Sequence, residues 1–137
     1  MSQRNGLAVL LVDTSVWVRI DQNRLRIRDY VSEEEDLATC PMVVHEVLRG
    51  TNIPRRFALM SSMLHSVTML DDPMPLIRFE EAAQLYKDCR ARGVTPSTPD
   101  CLIAACAIAH KVPLFHLDAD YSHIARAVPE LQLFTRS

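Results

Sequence analysis

Five acidic residues fall where a folded chain seldom needs charge. Asp13 ends the apolar run LAVLLV (7–12), and Glu46 sits inside the otherwise apolar MVVHEVL. Asp100 opens the apolar segment CLIAACAIA, and Asp118 and Asp120 follow VPLFHL. A carboxylate in an apolar setting needs a partner or a metal ion. Carboxylates that converge on one cleft repel one another unless a cation neutralises them. An all-oxygen set selects hard ions such as Mg²⁺ or Mn²⁺. Such ions, ~3.5–4 Å apart in two-metal sites, activate water and stabilise the leaving oxygen of an in-line displacement at phosphorus. Each acid also has an ordinary structural use. Asp13 could cap a helix, Asp100 could complement a helix dipole, and Asp118 and Asp120 could be turn residues. Glu46 could lie on a solvated helix face. Their joint placement favours the chemical reading.

The elements around these acids would carry them to one edge. LAVLLV reads as a central strand of a parallel sheet, buried on both faces. A helix follows Asp13, with Thr14 or Ser15 near its cap. NRLRIRDYVSEEED reads as an exposed helix or loop, and LATC as a short strand stopped by Pro41. MVVHEVLRG reads as a short helix with Gly50 at its C-cap. Pro54 opens another helix, with Phe57, Met60 and Leu64 on one face. SVTML is a third strand. RFEEAAQLYKDCRARG is the clearest helix, with Phe79, Ala82, Tyr86 and Cys89 at helical spacing and Gly93 ending it. In STPDCLIAACAIAHK, Thr98 caps, Pro99 takes the first helical position and Asp100 lies in the first turn. VPLFHL is a strand ending at Asp118, YSHIARAV a short helix and LQLFT a last edge strand. Strands alternating with helices argue for a parallel-sheet α/β fold. Ligands of such sheets bind outside the carboxyl ends of the strands. Asp13 and Asp118 would emerge there directly, and Asp100 would face them from a helix N-terminus.

The bulk properties exclude several alternatives. A chain of 137 residues favours one domain, and 48% hydrophobic with 23% charged residues is globular composition. The net charge of -2 makes the whole fold no general magnet for nucleic acid, yet 13 of its 15 basic residues are Arg. Arg grips phosphate as a rigid fork. Three glycines leave no phosphate-cradling Gly-rich loop, which argues against a P-loop or Rossmann enzyme. The four cysteines form no C-x-x-C pair and read as reduced, buried thiols, and no His or Cys pair shows zinc-ligand spacing. No apolar run approaches the ~20 residues of a membrane span, and no signal peptide is evident, so a soluble cytoplasmic protein is expected.

Nearly the whole chain resembles the PIN-domain ribonucleases, specifically the VapC-type toxins of toxin–antitoxin pairs. The motif VLLVDTSVWV is similar to the family's opening block, with its first metal-binding acid at Asp13. CPMVVHEVLRG resembles the second block, with the acid at Glu46, and TPDCLIAACAIAHKVPLFHLDADYSHIA the third and fourth. The third acid then falls on Asp100, and the fourth on Asp118 or Asp120. Tyr121 stands where the family usually has Phe. The resemblance implies a three-layer α/β/α PIN-like fold with a central, mainly parallel sheet, spanning residues 1–137 as one domain. It implies a Mg²⁺- or Mn²⁺-dependent endoribonuclease acting on structured RNA, often transfer or ribosomal RNA, and so blocking translation. It also implies a homodimer and a VapB-like antitoxin, the two forming a heterotetramer or larger assembly.

On this reading Asp13, Glu46, Asp100 and one or both of Asp118 and Asp120 are the catalytic and metal-holding acids. Thr14, Ser15 and Thr98 are candidates for phosphate or substrate contact, with helix capping as their alternative role. Arg19 and Arg49, from clusters that include Arg24, Arg26, Arg28, Arg55 and Arg56, are candidates for phosphate contact, with a solvated face balanced by EEED at 33–36, or an antitoxin surface, as the alternative uses. Trp17 reads as core or protein interface, and His45, His116 and His123 as packing or surface histidines. Two other readings stay open: another metal-dependent nuclease (a DNase or structure-specific enzyme), and a non-catalytic α/β interaction module.

Overall fold

The computed structural model describes residues 3–4 and 7–134. Strand β1 (Gln3–Arg4) pairs antiparallel with β2 (Leu7–Val12). Strand β2 is central. It lies parallel to β3 (Glu35–Thr39) on one side and to β5 (Leu114–Phe115) on the other, and β3 lies parallel to β4 (Thr68–Met69). The register sets Leu11 opposite both Ala38 and Leu114. Successive strand side chains point to opposite faces. Val9, Leu10, Leu11 and Val12 are nevertheless all buried. Both faces of the sheet are therefore covered by helices, as the unbroken apolar run of β2 requires.

The helices are α1 (Thr14–Asp21), α2 (Pro41–Arg49), α3 (Pro54–His65), α4 (Leu76–Ala91), α5 (Thr98–His110) and α6 (Asp120–Ala127). Helix α5 is buried from Cys101 through Ala107 without a break. A helix apolar all round belongs in a core, and its run of Ala and Cys lets α2 and α4 approach closely. Asp100, in its first turn, is thus carried on a rigid element.

Several local expectations change. Segment 22–34 is irregular apart from one 3₁₀ turn at Ile27–Asp29. Phe57 points outward at 46% exposure, while Met60 and Leu64 are buried. Helix α4 buries Ala82, Leu85 and Cys89, leaving Phe79 and Tyr86 exposed. Ser97 caps α5, accepting from the Asp100 N–H at 3.2 Å, so Thr98 does not. Strand β5 is two residues long, and 116–118 have no regular structure, so the VPLFHL strand is shorter than its apolar pattern and does not reach Asp118. The LQLFT segment contributes a single bridge, Leu133 to Leu114, and Thr135 lies outside the described residues. All four cysteines are buried and free.

Candidate active site

The parallel strands deliver the acids to their common carboxyl edge. The Asp13 N–H donates to the Phe115 carbonyl at 2.9 Å, which ties the end of β2 to the end of β5. Asp13 itself caps α1: its Oδ2 accepts from the Ser15 N–H at 3.0 Å and from the Ser15 hydroxyl at 2.6 Å. Neither Thr14 nor Ser15 is the cap. The Ser15 hydroxyl also accepts from the Leu117 N–H at 3.0 Å, fixing the segment that leads to Asp118. Thr14 donates to Glu46 Oε1 at 2.7 Å and orients that carboxylate from α1. Both hydroxyls therefore have protein partners and serve to position acids. Trp17 is buried and donates to the Val12 carbonyl at 3.2 Å, which makes it core.

Tyr121, on α6, completes the arrangement. Its hydroxyl lies 2.8 Å from Asp13 Oδ1 and 3.0 Å from Asp100 Oδ1. The ring is fully buried, with His116 packed beside it at 5.5 Å between centroids. Burial first, then the two neighbouring carboxylates, pushes the phenol far up, so it stays a neutral donor. Sequence reasoning missed this role. The signal was present: Tyr121 follows directly on Asp118 and Asp120, and a buried tyrosine hydroxyl needs a polar partner.

Carboxylate oxygens of Asp100, Asp118 and Asp120 lie within 4.8 Å of one another. Asp118 Oδ1 accepts from the Asp120 N–H at 2.9 Å. Among the described residues, Asp100 Oδ2, Asp118 Oδ2 and both Asp120 oxygens have no hydrogen-bond partner. Burial pushes the Asp100 carboxyl up to about 6. The hydrogen bond from Tyr121 opposes this, and the charges of Asp13, Asp118 and Glu46 add to it. A raised acid with unpartnered oxygens nearby is a site short of positive charge. A hard divalent cation fits that deficit and that donor set. The contrast with Asp71, Cys106 and His110 is instructive. Their donor atoms also cluster within 4.8 Å, but Asp71 is already gripped by Arg78 at 2.7 Å and by His110 at 2.8 Å.

The other predicted residues fall around this centre. Arg49 is exposed and sits 3.7 Å from Glu46. Arg19 is exposed on α1 with no side-chain partner among the described residues. Thr98 lines an apolar concavity with Phe79 and Tyr86, away from the acids. His45 and His123 are exposed.

The PIN domain family model matches residues 10–127, which span every acid of the cluster. The chain is 34% identical over 127 residues to Ribonuclease VapC11 of Mycobacterium tuberculosis, covering 86% of this chain and 92% of that one. Among solved structures it is similar to VapBC2 from Rickettsia felis (TM-score 0.75, 16% identity, 94% of this chain and 99% of that one). It is also similar to the DNA-bound VapBC of Salmonella typhimurium (TM-score 0.76, 15% identity, 91% and 96%). With the acids gathered at the strand ends and the family model spanning them, this chain belongs to the PIN-domain family and, within it, to the VapC ribonucleases.

Proposed function

We propose that this chain is a divalent-metal-dependent endoribonuclease toxin that hydrolyses phosphodiester bonds in structured cellular RNA, with transfer or ribosomal RNA as the target class. The observation that carries the reading is the gathering of Asp100, Asp118 and Asp120 beside Asp13 and Glu46, with Asp100 pushed up to about 6. Asp13, Glu46, Asp100, Asp118 and Asp120 would hold Mg²⁺ or Mn²⁺. When bound, such an ion supplies an activated water and stabilises the leaving oxygen. The chain's own residues set the geometry. Ser15 and Tyr121 fix both oxygens of Asp13, and Thr14 fixes Glu46. Tyr121 holds Asp13 and Asp100 at a set separation. Deep burial of β2 and α5 keeps these carboxylates from relaxing outward.

The VapBC complexes it resembles support a VapB-like antitoxin as partner, and we further propose a homodimer of this chain inside a heterotetramer or larger assembly. No helix among the described residues is long and apolar enough to cross a membrane. The test is cleavage of defined tRNA, rRNA and DNA by purified protein with Mn²⁺ or with EDTA. RNA cleavage that needs the ion and is lost in Asp13→Asn is expected. Cleavage of DNA alone would make it a different nuclease, and no cleavage of either would leave a non-catalytic module.

A further inference from the structure

A groove leads away from the acid cluster, and it ends on arginines. A concavity of about 280 Å³ begins at Asp120 and runs along Gly93, Thr95 and Pro96 in the loop between α4 and α5. Val94 and His123 line both it and a second, larger concavity of about 680 Å³, so the two are continuous. The far end is lined by Arg92 and Arg126. Both are exposed, and among the described residues neither has a carboxylate partner. Among the described residues, the side-chain hydrogen-bond partner of Arg126 is the His123 ring, at 2.7 Å. This differs from Arg49, Arg56 and Arg78, each of which faces an acid. Arg90 stands on the rim, its guanidinium donating to Thr95 Oγ1 at 2.8 Å. Gly93, which lines the groove next to Arg92, sits at φ +80, a left-handed turn that favours glycine.

We propose that this groove is a binding track for the RNA strand flanking the scissile bond, with Arg92 and Arg126 holding backbone phosphates away from the cleavage point. A polyanion approaching a cluster of carboxylates is repelled, so its productive position must be fixed by cations outside the cluster. A groove of one sign at each end does this: acids at the reacting phosphate, arginines at its neighbours. Arginine suits phosphate oxygens because its fork donates two parallel hydrogen bonds. The bland alternative is that Arg92 and Arg126 only complement the C-terminal dipoles of α4 and α6. That role would touch stability and leave RNA affinity alone. An acidic antitoxin arm is a different occupant, which the test separates.

The inference rests on the ribonuclease reading, but its measurement does not need turnover. A labelled single-stranded RNA of about 20 nucleotides is titrated with the full chain in EDTA, between about 50 and 200 mM salt. Arg92→Gln and Arg126→Gln are each expected to weaken binding roughly tenfold. Each should lower the slope of log affinity against log salt by about 0.7, and the double variant by about 1.4. Arg126→Lys should retain most of the slope. Lys111→Gln, at the far end of α5, should change neither quantity. An unchanged slope in the double variant overturns the inference, even where the wild type cleaves RNA with Mn²⁺. So does a loss of antitoxin affinity with RNA affinity intact. Absence of cleavage by the wild type would instead overturn the ribonuclease reading, and the slope in EDTA would still decide this one.

Discussion

The Tyr121 phenol stands between two acids, 2.8 Å from Asp13 and 3.0 Å from Asp100. It has one proton and two acceptors in reach. Both contacts are full hydrogen bonds only when Asp100 carries a proton and donates it to the phenol oxygen; with Asp100 ionised, the second carboxylate depends on a cation instead. Tyr121→Phe keeps the buried ring and removes the bridge. Partners that orient metal-binding acids typically change affinity by 10–100-fold. The expected result is a loss of Mn²⁺ affinity of about that size by titration calorimetry, with an unchanged far-UV circular dichroism spectrum. An unaltered affinity would mean that α1 and α5 position the acids without help.

Asp100 gives the metal-free protein a defined pH response. Its carboxyl is raised to about 6 in the fold, above its ordinary value. A raised acid binds its proton more tightly folded than unfolded. Its stabilising contribution is therefore complete below the unfolded value near 4 and is lost as pH rises through about 6. Asp100→Asn removes the charge permanently. In EDTA the variant should be more stable than wild type at pH 7.5, by about 1 kcal/mol once solvent screening is allowed for. The gain should vanish at pH 4, where the wild-type residue is protonated. Saturating Mn²⁺ should reverse the order, since only the wild type gains from binding. Thermal denaturation at the two pH values, with and without the ion, checks all three.

The legible parts were those where burial leaves no choice. A strand covered on both faces must be apolar throughout, so LAVLLV announced β2 and placed Asp13 at its end. The same holds for Cys101 to Ala107 and for Asp100 ahead of it. Helix α4 was harder, because Ala82 and Cys89 fit two overlapping stripes. Phe79 and Tyr86 were the larger residues, but close approach to α5 favours the smaller Leu85 with Ala82 and Cys89. The cap of α5 was displaced by one residue, since Ser97 and Thr98 are both competent caps and only the backbone angles choose. The Ser15–Leu117, Thr14–Glu46 and Tyr121–Asp13 hydrogen bonds join residues distant in the chain, the last across 108 positions, and no local pattern encodes them.

Asp118 and Asp120 separate by what else they do. Asp118 Oδ1 accepts the Asp120 N–H at the start of α6, whereas the Asp120 carboxylate is exposed and bonded to nothing among the described residues. Asp120→Asn should therefore leave stability within about 0.5 kcal/mol of wild type. Asp118→Ala should cost about 1 kcal/mol, as loss of one side-chain to backbone hydrogen bond does, and Asp118→Asn should restore most of it. Both Asn variants should weaken Mn²⁺ binding if both acids face the ion. Chemical denaturation beside Mn²⁺ titration decides which of the two is the fourth acid, or whether both are.

Arg78 and Asp71 form the counter-example to the acid cluster, a charged group whose cation is built in. Arg78 Nε lies 2.7 Å from Asp71 Oδ2, with side chains only 11% and 5% exposed, and His110 approaches the other oxygen at 2.8 Å. Burial pushes the Asp71 carboxyl up, but the hydrogen bonds from Arg78, His110 and Cys106 more than reverse it, leaving it below its ordinary value. Its contribution is thus present above the unfolded Asp value and lost as pH falls through the lower folded one. Arg78→Met strands a buried carboxylate and should cost about 3 kcal/mol at pH 7. The double variant Asp71→Asn, Arg78→Met should recover part of that loss, because no charge is left unpaired. Denaturant unfolding of the four proteins of this cycle measures the coupling. RNA cleavage per folded molecule should stay at the wild-type level throughout, and a selective loss of cleavage would place this pair in the catalytic apparatus.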